Sequence, residues 1–250
     1  MLTLPKLTIT RNEKAEQGLI DKTRTWLEKD SKDRKGIHAS DLLDPRKSYF
    51  DKLNPQPITN RMAGHFFVGK TLHAFFLSAL HGEDGVNWKS DGGSFTDKTL
   101  GISYSPDWMA DGIPGELKTS RGKYEMSHSD LSMYLEQLLI YMVGKNSLRG
   151  RLVVLMLNLP APRGEMFGTY PQYRAYRIET TKAGLAAFKK QLIKTRKTLE
   201  KALKTKKHAE LPLCRQFKCM GCPHWTACKP EGRYHNPKRF FGSIDVPKAA

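Results

Sequence analysis

The chain has 250 residues, 39% of them hydrophobic, which excludes wholesale disorder and suits one large domain or a core with appendages. No apolar run approaches the roughly 18 residues of a membrane span, and the N-terminus lacks a signal-peptide stretch, so we expect a cytoplasmic protein without a membrane partner. Lysine and arginine number 42 against 25 acidic residues, a formal charge of +17. That excess favours a polyanion such as nucleic acid, although a merely basic surface is the alternative.

The first predicted elements are helical. Residues 12–29 have mixed helical spacing, and residues 37–53 predict a helical region with Ser40 as N-cap and a break at Pro45. Residues 61–80 are rich in Phe, Leu and Ala and predict a mostly buried helix.

A loop at 82–93 then leads into a pair of predicted strands. These are expected at residues 99–105 and 113–119, with the Asp111-Gly112 pair as the turn between them.

The second half of the chain predicts a helix, two strands and a long basic helix. Their ranges are 130–143 (with Gly144 as the stop), 151–159, 173–180 and 181–207. The continuous apolar run of the first strand is typical of a buried central strand, and the second alternates as its neighbour would. This order predicts an α/β fold with a mixed central sheet flanked by helices. We expect a core at 1–207 with an N-terminal helical part, and a cysteine segment and tail at 208–250 packed on it.

Two acids and a lysine are the candidate reactive groups. Glu116 and Lys118 share a strand face because side chains alternate, and a hairpin can bring Asp107, at the end of the preceding strand, beside Glu116. Two close carboxylates repel unless a cation lies between them, and Mg²⁺ or Mn²⁺ is the natural occupant, with the carbonyl of Leu117 as a further ligand. Lys118 would then stabilise hydroxide or developing phosphate charge. The alternative is a solvent-facing hairpin with an ordinary Glu–Lys pair.

Three polar residues on predicted helices are further candidates. His73 is polar in an apolar stretch and is either a hydrogen-bonded core residue or a metal ligand. Gln137 and Tyr141 are four residues apart on the helix that follows the Glu-Lys strand, so they can reach one site.

In their chain order, these residues resemble the PD-(D/E)XK nuclease superfamily, in particular its RecB-like branch, which includes CRISPR-associated adaptation nucleases and the nuclease domain of AddB-type helicase-nucleases. The segment SPDWMADGIPGELK also resembles a hairpin of lambda-type phage exonucleases. The resemblance implies a restriction-endonuclease-like core. It implies His73, Asp107 and Glu116 as metal ligands and Lys118 at the nucleophilic water. Gln137 and Tyr141 would hold DNA or orient the lysine.

The function implied by this resemblance is a Mg²⁺- or Mn²⁺-dependent DNA nuclease. We expect an exonuclease acting on single strands or DNA ends in recombination, CRISPR adaptation or phage DNA processing, with a helicase or other DNA-processing protein as a partner. A non-catalytic, zinc-containing DNA-binding module and a subunit of a larger helicase-nuclease assembly are the alternatives.

Four clustered cysteines, Cys214, Cys219, Cys222 and Cys228, favour a metal over disulfides in an intracellular protein, since four thiolates suffice for Zn²⁺ or an iron–sulfur cluster. The segment CMGCPHWTAC resembles the C-terminal three cysteines of iron–sulfur RecB-like nucleases, but Asp44 stands where those proteins have an N-terminal cysteine. The resemblance implies a 4Fe-4S cluster, while a self-contained zinc site with Cys214 as fourth ligand is nearly as well supported. Either would pin the C-terminal segment to the core.

Several side chains are candidates for DNA contact. Phosphates would meet basic residues, and unpaired bases would stack on aromatic ones. The basic candidates are Lys189, Lys190, Lys194, Arg196, Lys197, Lys201 and Lys204 of the long helix, with Arg46 and Lys47; the aromatic ones are Tyr49, Phe50 and Trp225. A solvated helix face and core packing are the alternatives.

Overall fold

A computed structural model describes residues 17–18, 21–25, 36–80, 88–89, 94–122, 126, 128–160, 169–214 and 222–228. The chain divides into two compact units, Met1–Arg34 with Pro57–Thr71, and Lys35–Gln56 with Leu72–Ala250. Within the predicted first helix, residues 17–18 and 21–25 are helical. Most of the predicted 82–93 loop and the C-terminal tail lie outside the described residues. None of the described helices has the length and apolar character needed to cross a lipid bilayer.

The helices follow the predicted order. They are α1 (Ala39–Leu43), α2 (Pro45–Leu53), α3 (Asn60–Leu80), α4 (His128–Lys145), α5 (Lys182–Thr205) and α6 (Trp225–Cys228). The predicted break is confirmed, because Pro45 begins α2, where its missing N–H costs nothing. The predicted N-cap is wrong, because Ser40 lies inside α1. His38 is the N-cap instead, and its backbone N–H donates to the carboxylate of Asp41 at 2.9 Å.

The strands form one mixed sheet and one small sheet. They are β1 (Trp88–Lys89), β2 (Phe95–Asp97), β3 (Ile102–Tyr104), β4 (Trp108–Ala110), β5 (Ile113–Ser120), β6 (Arg149–Pro160) and β7 (Thr169–Glu179). The larger sheet has the order β1-β4-β5-β6-β7, and β2 pairs with β3 separately. Strands β5 and β6 are parallel, with α4 as their crossover, and the other pairs are antiparallel. The predicted α/β fold with a mixed sheet is confirmed.

Helices cover both faces of this sheet. On one face, α4 packs on β5 and β6, and α5 packs on α4. The buried residues there recur at helical spacing, namely Leu131, Leu135, Leu138 and Met142 of α4 with Leu185, Phe188, Leu192 and Leu199 of α5. On the other face, Phe76 of α3 and Val153 pack on a smaller cluster of Trp108, Ala110 and Leu117. We call these the inner face and the outer face of the sheet.

The region between residues 99 and 113 differs from the prediction. Residues 98–101 form a turn, and β3 pairs with β2 rather than with β5. The partner of β5 is β4, which the sequence analysis missed. Asp107 therefore precedes a strand instead of ending one. The three residues of β4 are all buried, so they show none of the alternation that predicts a strand.

The prediction that α3 is mostly buried is wrong for its described side chains. Met62, Phe66, Phe67 and Phe75 are exposed, and Phe75 has 69% of its surface accessible. The apolar residues of α3 are spread around the helix instead of forming one stripe, so packing on one side leaves others in solvent.

Candidate active site

A tight hairpin between β4 and β5 positions the first carboxylate. Asp111 and Gly112 have positive φ angles of 52° and 76°, as a type I′ turn requires, so the predicted turn is confirmed. The N–H of Asp107 donates to the carbonyl of Gly115 at 3.1 Å, and Oδ2 of Asp107 accepts the N–H of Leu117 at 2.7 Å. The backbone of the next strand therefore orients Asp107.

Trp108 seals this hairpin on the outer face. A Cβ at position 115 would lie 2.0 Å from Cε2 of Trp108, so only glycine allows the indole to cross β5 here. The ring of Phe76 covers the indole, with centroids 6.0 Å apart. These contacts hold β4 in the register that places Asp107 beside Glu116.

Glu116 and Lys118 project from the same face of β5, as the alternation predicts. Glu116 is 0% exposed, and Nζ of the partly exposed Lys118 forms an ion pair with its Oε1. Burial raises the pKa of Glu116 to about 7, an effect that Lys118 opposes and the charge of Asp107 reinforces. Burial alone would lower the pKa of Lys118, but Glu116 and Asp107 raise it above its ordinary value. The ammonium therefore stays charged beside a carboxyl that titrates near neutral pH.

His73 approaches the site from α3. Its Nδ1 lies 3.5 Å from Oδ1 of Asp107, and the imidazole is only partly buried. Because Oδ2 of Asp107 is engaged by Leu117, the two carboxylate oxygens face different partners. His73 thus belongs to the cluster of acids rather than to the apolar core.

The helix α4 contributes the predicted amide and phenol. Nε2 of Gln137 donates to the hydroxyl of Tyr141 at 2.6 Å. Tyr141 is buried, and burial together with the charge of Glu116 raises its pKa well above the ordinary value. The phenol therefore stays protonated and lies close to Glu116.

Tyr134 is a residue of this site that the sequence analysis did not single out. The ring of Tyr134 lies 5.9 Å from Nζ of Lys118, within reach of a cation–π interaction. The sequence signal for Tyr134 is its spacing. It lies three residues before Gln137 and seven before Tyr141, so the three side chains share one face of the helix.

The donor chemistry of the cluster fits a hard divalent cation. Within the described residues, neither carboxylate oxygen of Glu116 accepts a hydrogen bond of good geometry, although Lys118 and Tyr141 lie close. A cation stabilises the ionised form of a buried carboxylate that has an acidic neighbour, and oxygen ligands suit Mg²⁺ or Mn²⁺. No three His, Cys, Asp or Glu side chains in the described part of the chain are arranged as a ready metal-binding group. In this structure the carboxylate of Glu116 forms an ion pair with Lys118.

The described parts of the cysteine segment dock on α2. The buried guanidinium of Arg46 donates to the carbonyls of Leu211, at 2.6 Å and 3.1 Å, and Ala209, at 3.3 Å. The buried His224 is hydrogen-bonded to Asp51 at 2.7 Å. The ring of Phe50 stacks on His224 and contacts His208, with centroids 5.5 Å and 4.9 Å apart. Cys219 lies outside the described residues, while Cys214 is buried and Cys222 and Cys228 are partly exposed.

Three of the candidate DNA contacts have structural roles instead. Arg46 is committed to the carbonyls of the C-terminal segment, and Tyr49 is buried in the core. The guanidinium of Arg196 packs on Gly101, whose φ of 63° favours glycine, and pairs with Glu200 at 3.5 Å. The side chains that stay exposed are Lys190, Lys194, Lys197, Lys201, Lys204 and Trp225, with Lys201 paired to Glu210.

No family model and no curated protein sequence matches the chain. Among solved structures, the crystal structure of SSO0001 matches with a TM-score of 0.56 and 17% identity, over 86% of this chain and 96% of that one. An alkaline exonuclease from Laribacter hongkongensis has a TM-score of 0.45 and 15% identity, over 68% of this chain and 90% of its own. Its complex with dAMP has a TM-score of 0.43, with the same identity and coverage. The likeness to SSO0001 concerns the fold alone.

Proposed function

We propose that the chain is a DNA nuclease that hydrolyses phosphodiester bonds at the cluster of Asp107, Glu116 and Lys118. One observation carries the proposal: a fully buried carboxyl with a pKa near 7 lies between a lysine and a second acid. Folding alone gives no reason to bury such a charge, and strongly perturbed pKa values cluster at functional sites. The formal charge of +17 supports a polyanionic substrate.

Each side chain has a role that follows from its position. The charged ammonium of Lys118 donates hydrogen bonds to the attacking water or to a phosphate oxygen that gains charge. Tyr134 lies beside that ammonium and helps to orient it. The hydrogen-bonded pair of Gln137 and Tyr141 places a protonated phenol close to Glu116.

The proposed cofactor of this site is Mg²⁺ or Mn²⁺. Asp107, Glu116 and His73 would hold it with the carbonyl of Leu117. A divalent cation, when bound, supplies Lewis-acid polarisation of the phosphate. The arrangement of Asp107 supports this assignment, because Leu117 engages one of its oxygens and leaves the other facing His73.

The chain order of His73, Asp107, Glu116-x-Lys118 and Gln137-x-x-x-Tyr141 supports a narrower assignment. We place the chain in the RecB-like branch of the PD-(D/E)XK nucleases, as an exonuclease acting on single strands or DNA ends. The proposed setting is recombination, CRISPR adaptation or phage DNA processing, with a helicase or another DNA-processing protein as a partner in the cytoplasm.

For the cysteine segment we propose a structural 4Fe-4S cluster or Zn²⁺ held by Cys214, Cys219, Cys222 and Cys228. The alternative fourth ligand of an iron–sulfur cluster is Asp44 at the start of α2, whose buried Oδ1 accepts no hydrogen bond within the described residues. The docking of residues 209–211 on Arg46 supports a structural role.

The test of the nuclease is cleavage of labelled single-stranded and duplex DNA by the purified chain with Mn²⁺ or Mg²⁺. We expect cleavage by the natural chain and a fall of about 10²- to 10⁴-fold in Lys118→Ala, the usual contribution of a group acting on a proton in the transition state. Asp107→Asn should lose activity too, although its amide oxygen can still accept the N–H of Leu117.

The matched control is Lys98→Ala, which removes an exposed lysine from the turn before β3 and should leave cleavage unchanged. Equal cleavage by the natural chain, Lys118→Ala and Asp107→Asn would rule out the assignment. Salt-sensitive DNA binding without cleavage under either cation would instead identify a non-catalytic binding module.

A further inference from the structure

Five lysines of α5 form one straight row on the exposed side of the helix. Because an α-helix has about 3.6 residues per turn, their spacing of four, three, four and three residues keeps them within about 40° of one line along the helix. At about 1.5 Å per residue, the row is about 21 Å long. We call it the lysine row; its members, all exposed, are Lys190, Lys194, Lys197, Lys201 and Lys204.

The lysine row points away from the protein core. The buried residues of α5, among them Leu192 and Leu199, lie on the opposite side of the helix, where α5 packs on α4. Glu116 and Lys118, in contrast, face α4 from the sheet. The lysine row therefore belongs to a different surface from the proposed hydrolytic cluster.

Most of the charge on the lysine row is uncompensated within the described residues. Lys201 pairs with Glu210 at 2.7 Å. The single acidic residue of α5, Glu200, pairs with Arg196, which lies off the row. In the described part of the chain, no ion pair is formed by the ammonium groups of Lys190, Lys194, Lys197 and Lys204.

The stability of α5 does not explain this arrangement. A lysine in the last turn of a helix interacts favourably with the macrodipole, which accounts for Lys204, but the effect falls off beyond that turn. Lys190, Lys194 and Lys197 lie further back along the helix. Like charges three or four residues apart destabilise a helix, and an anion bound along the row would remove this repulsion.

The composition of the row favours the phosphates of a DNA duplex over other anions. The core of a protein interface and a membrane surface both require exposed apolar or aromatic side chains. Among the described residues, no large hydrophobic side chain of α5 is exposed. Single strands also bind through stacking on rings, whereas a duplex keeps its bases inside. A duplex offers about one phosphate charge per 1.7 Å, about twice the density of one strand.

We propose that the lysine row binds the phosphate backbone of duplex DNA without reading its sequence. At about 3.4 Å per base pair, the row spans about six base pairs. The inference rests on the proposed nuclease function in one respect, namely that the duplex held by α5 belongs to the DNA that is cleaved at Asp107, Glu116 and Lys118.

The first test measures binding of a fluorescently labelled duplex to the full chain by anisotropy over a range of salt concentrations, in EDTA so that cleavage plays no part. The row variant, Lys190→Gln with Lys194→Gln and Lys197→Gln, should lower the slope of log K against log salt by about two to three, because each phosphate contact contributes about 0.9. Arginine at the same three positions keeps the charges and should keep the natural slope.

The matched control removes three charges from exposed lysines elsewhere, as Lys22→Gln with Lys98→Gln and Lys182→Gln. Its slope should change by less than about one. Equal changes in the control and the row variant would reduce the effect to net charge and overturn the proposal. In urea unfolding the row variant should be as stable as the natural chain or slightly more stable, because glutamine has a similar helix propensity and relieves the repulsion.

Two other occupants are distinguished in the same assay. If the row variant changes the slope for oligothymidine but not for duplex, the row is a site for single strands. If it loses binding of poly-glutamate while duplex binding persists, the row is a site for an acidic protein segment. Either result would overturn the proposal.

The second test separates this proposal from the nuclease assignment. The row variant should cleave a short oligothymidine like the natural chain, but it should cleave the same oligothymidine joined to a duplex more slowly. A chain that binds duplex through the row and cleaves no DNA would keep the row and lose the nuclease. A chain that cleaves DNA and binds duplex equally well without the row would keep the nuclease and lose the row.

Discussion

Glu116 is the residue on which the proposed nuclease chemistry depends. Its carboxyl is fully buried, and its ordinary pKa of 4.5 is raised to about 7. A carboxyl in this state is partly protonated at neutral pH, and its charge responds to any cation that approaches. Burial therefore makes Glu116 sensitive to ligands and also reduces the stability of the folded chain.

The raised pKa predicts how stability depends on pH. The folded protein holds the proton of Glu116 more tightly than the unfolded chain, so its stabilising effect is fully present below about pH 4.5 and is lost as pH rises through about 7. Over this window, the free energy of unfolding should fall by about 3 kcal/mol, at about 1.4 kcal/mol for each pKa unit. In Glu116→Gln this dependence should disappear.

The measurement is urea unfolding in EDTA at a series of pH values for both chains, and the difference between their slopes is the relevant quantity. Glu179→Gln, which removes an exposed carboxylate, should keep the natural slope. Identical slopes for the natural chain and Glu116→Gln would contradict the raised pKa.

At the residue scale, sequence predicted positions that depend on local geometry. Glu116 and Lys118 share a face because a strand alternates, and Gln137 meets Tyr141 because a helix turns in about 3.6 residues. The sequence offers Arg46 as a candidate DNA contact, yet its carbonyl partner Leu211 lies 165 residues later in the chain. Burial of that kind depends on tertiary packing, which no local pattern reports.

At the scale of elements, the β4–β5 hairpin depends on a close approach between Trp108 and Gly115. A Cβ at position 115 would lie 2.0 Å from the indole, so Gly115→Ala must displace either the ring or the strand. The hairpin also carries Asp107, Glu116 and Lys118. Damage to its packing should therefore reduce stability and activity together.

We expect Gly115→Ala to lower the free energy of unfolding by about 1–3 kcal/mol, the usual cost of overpacking, and to reduce cleavage of DNA. Gly69→Ala is the matched control, because Gly69 lies in α3 with no atom within 4 Å of an added Cβ. That change should be neutral or stabilising by up to about 1 kcal/mol. Equal effects of the two substitutions in urea unfolding would contradict the role of Gly115.

Sequence predicted the longer elements better than the short ones. The strand at β6 has a continuous apolar run, and α5 has a regular stripe, so both were predicted near their observed bounds. Only three residues make up β4, and its burial on both faces removes the alternation that would reveal it. Its existence depends on pairing with β5, which is a property of the sheet rather than of the segment.

At the scale of the whole molecule, the C-terminal residues return to a helix near the start of the chain. Arg46 binds the carbonyls of residues 209 and 211, and Asp51 binds His224 across 173 positions of sequence. Aromatic stacking by Phe50 adds to these contacts. A few specific contacts therefore attach residues 209–211 and His224 to α2, and the loss of one should weaken this attachment.

Arg46→Met should therefore lower the free energy of unfolding by about 2–4 kcal/mol, because it leaves the Leu211 carbonyl buried without its charged donor. Limited proteolysis should show earlier cleavage between residues 205 and 214. Lys47→Met is the control on the same helix, since it removes a partly exposed ion pair with Asp51 and should cost at most about 1 kcal/mol. A protease pattern shared by both variants would contradict this role of Arg46.

The charges on β7 have a consequence for self-association. Among the described strands, β7 pairs on one side only, with β6, and such an edge invites another strand. Pro171 has no amide hydrogen to donate to a further strand, and Arg174 and Arg177 place positive charge along the same edge strand. A second copy of β7 would carry the same charges, so pairing of two copies along this edge is disfavoured.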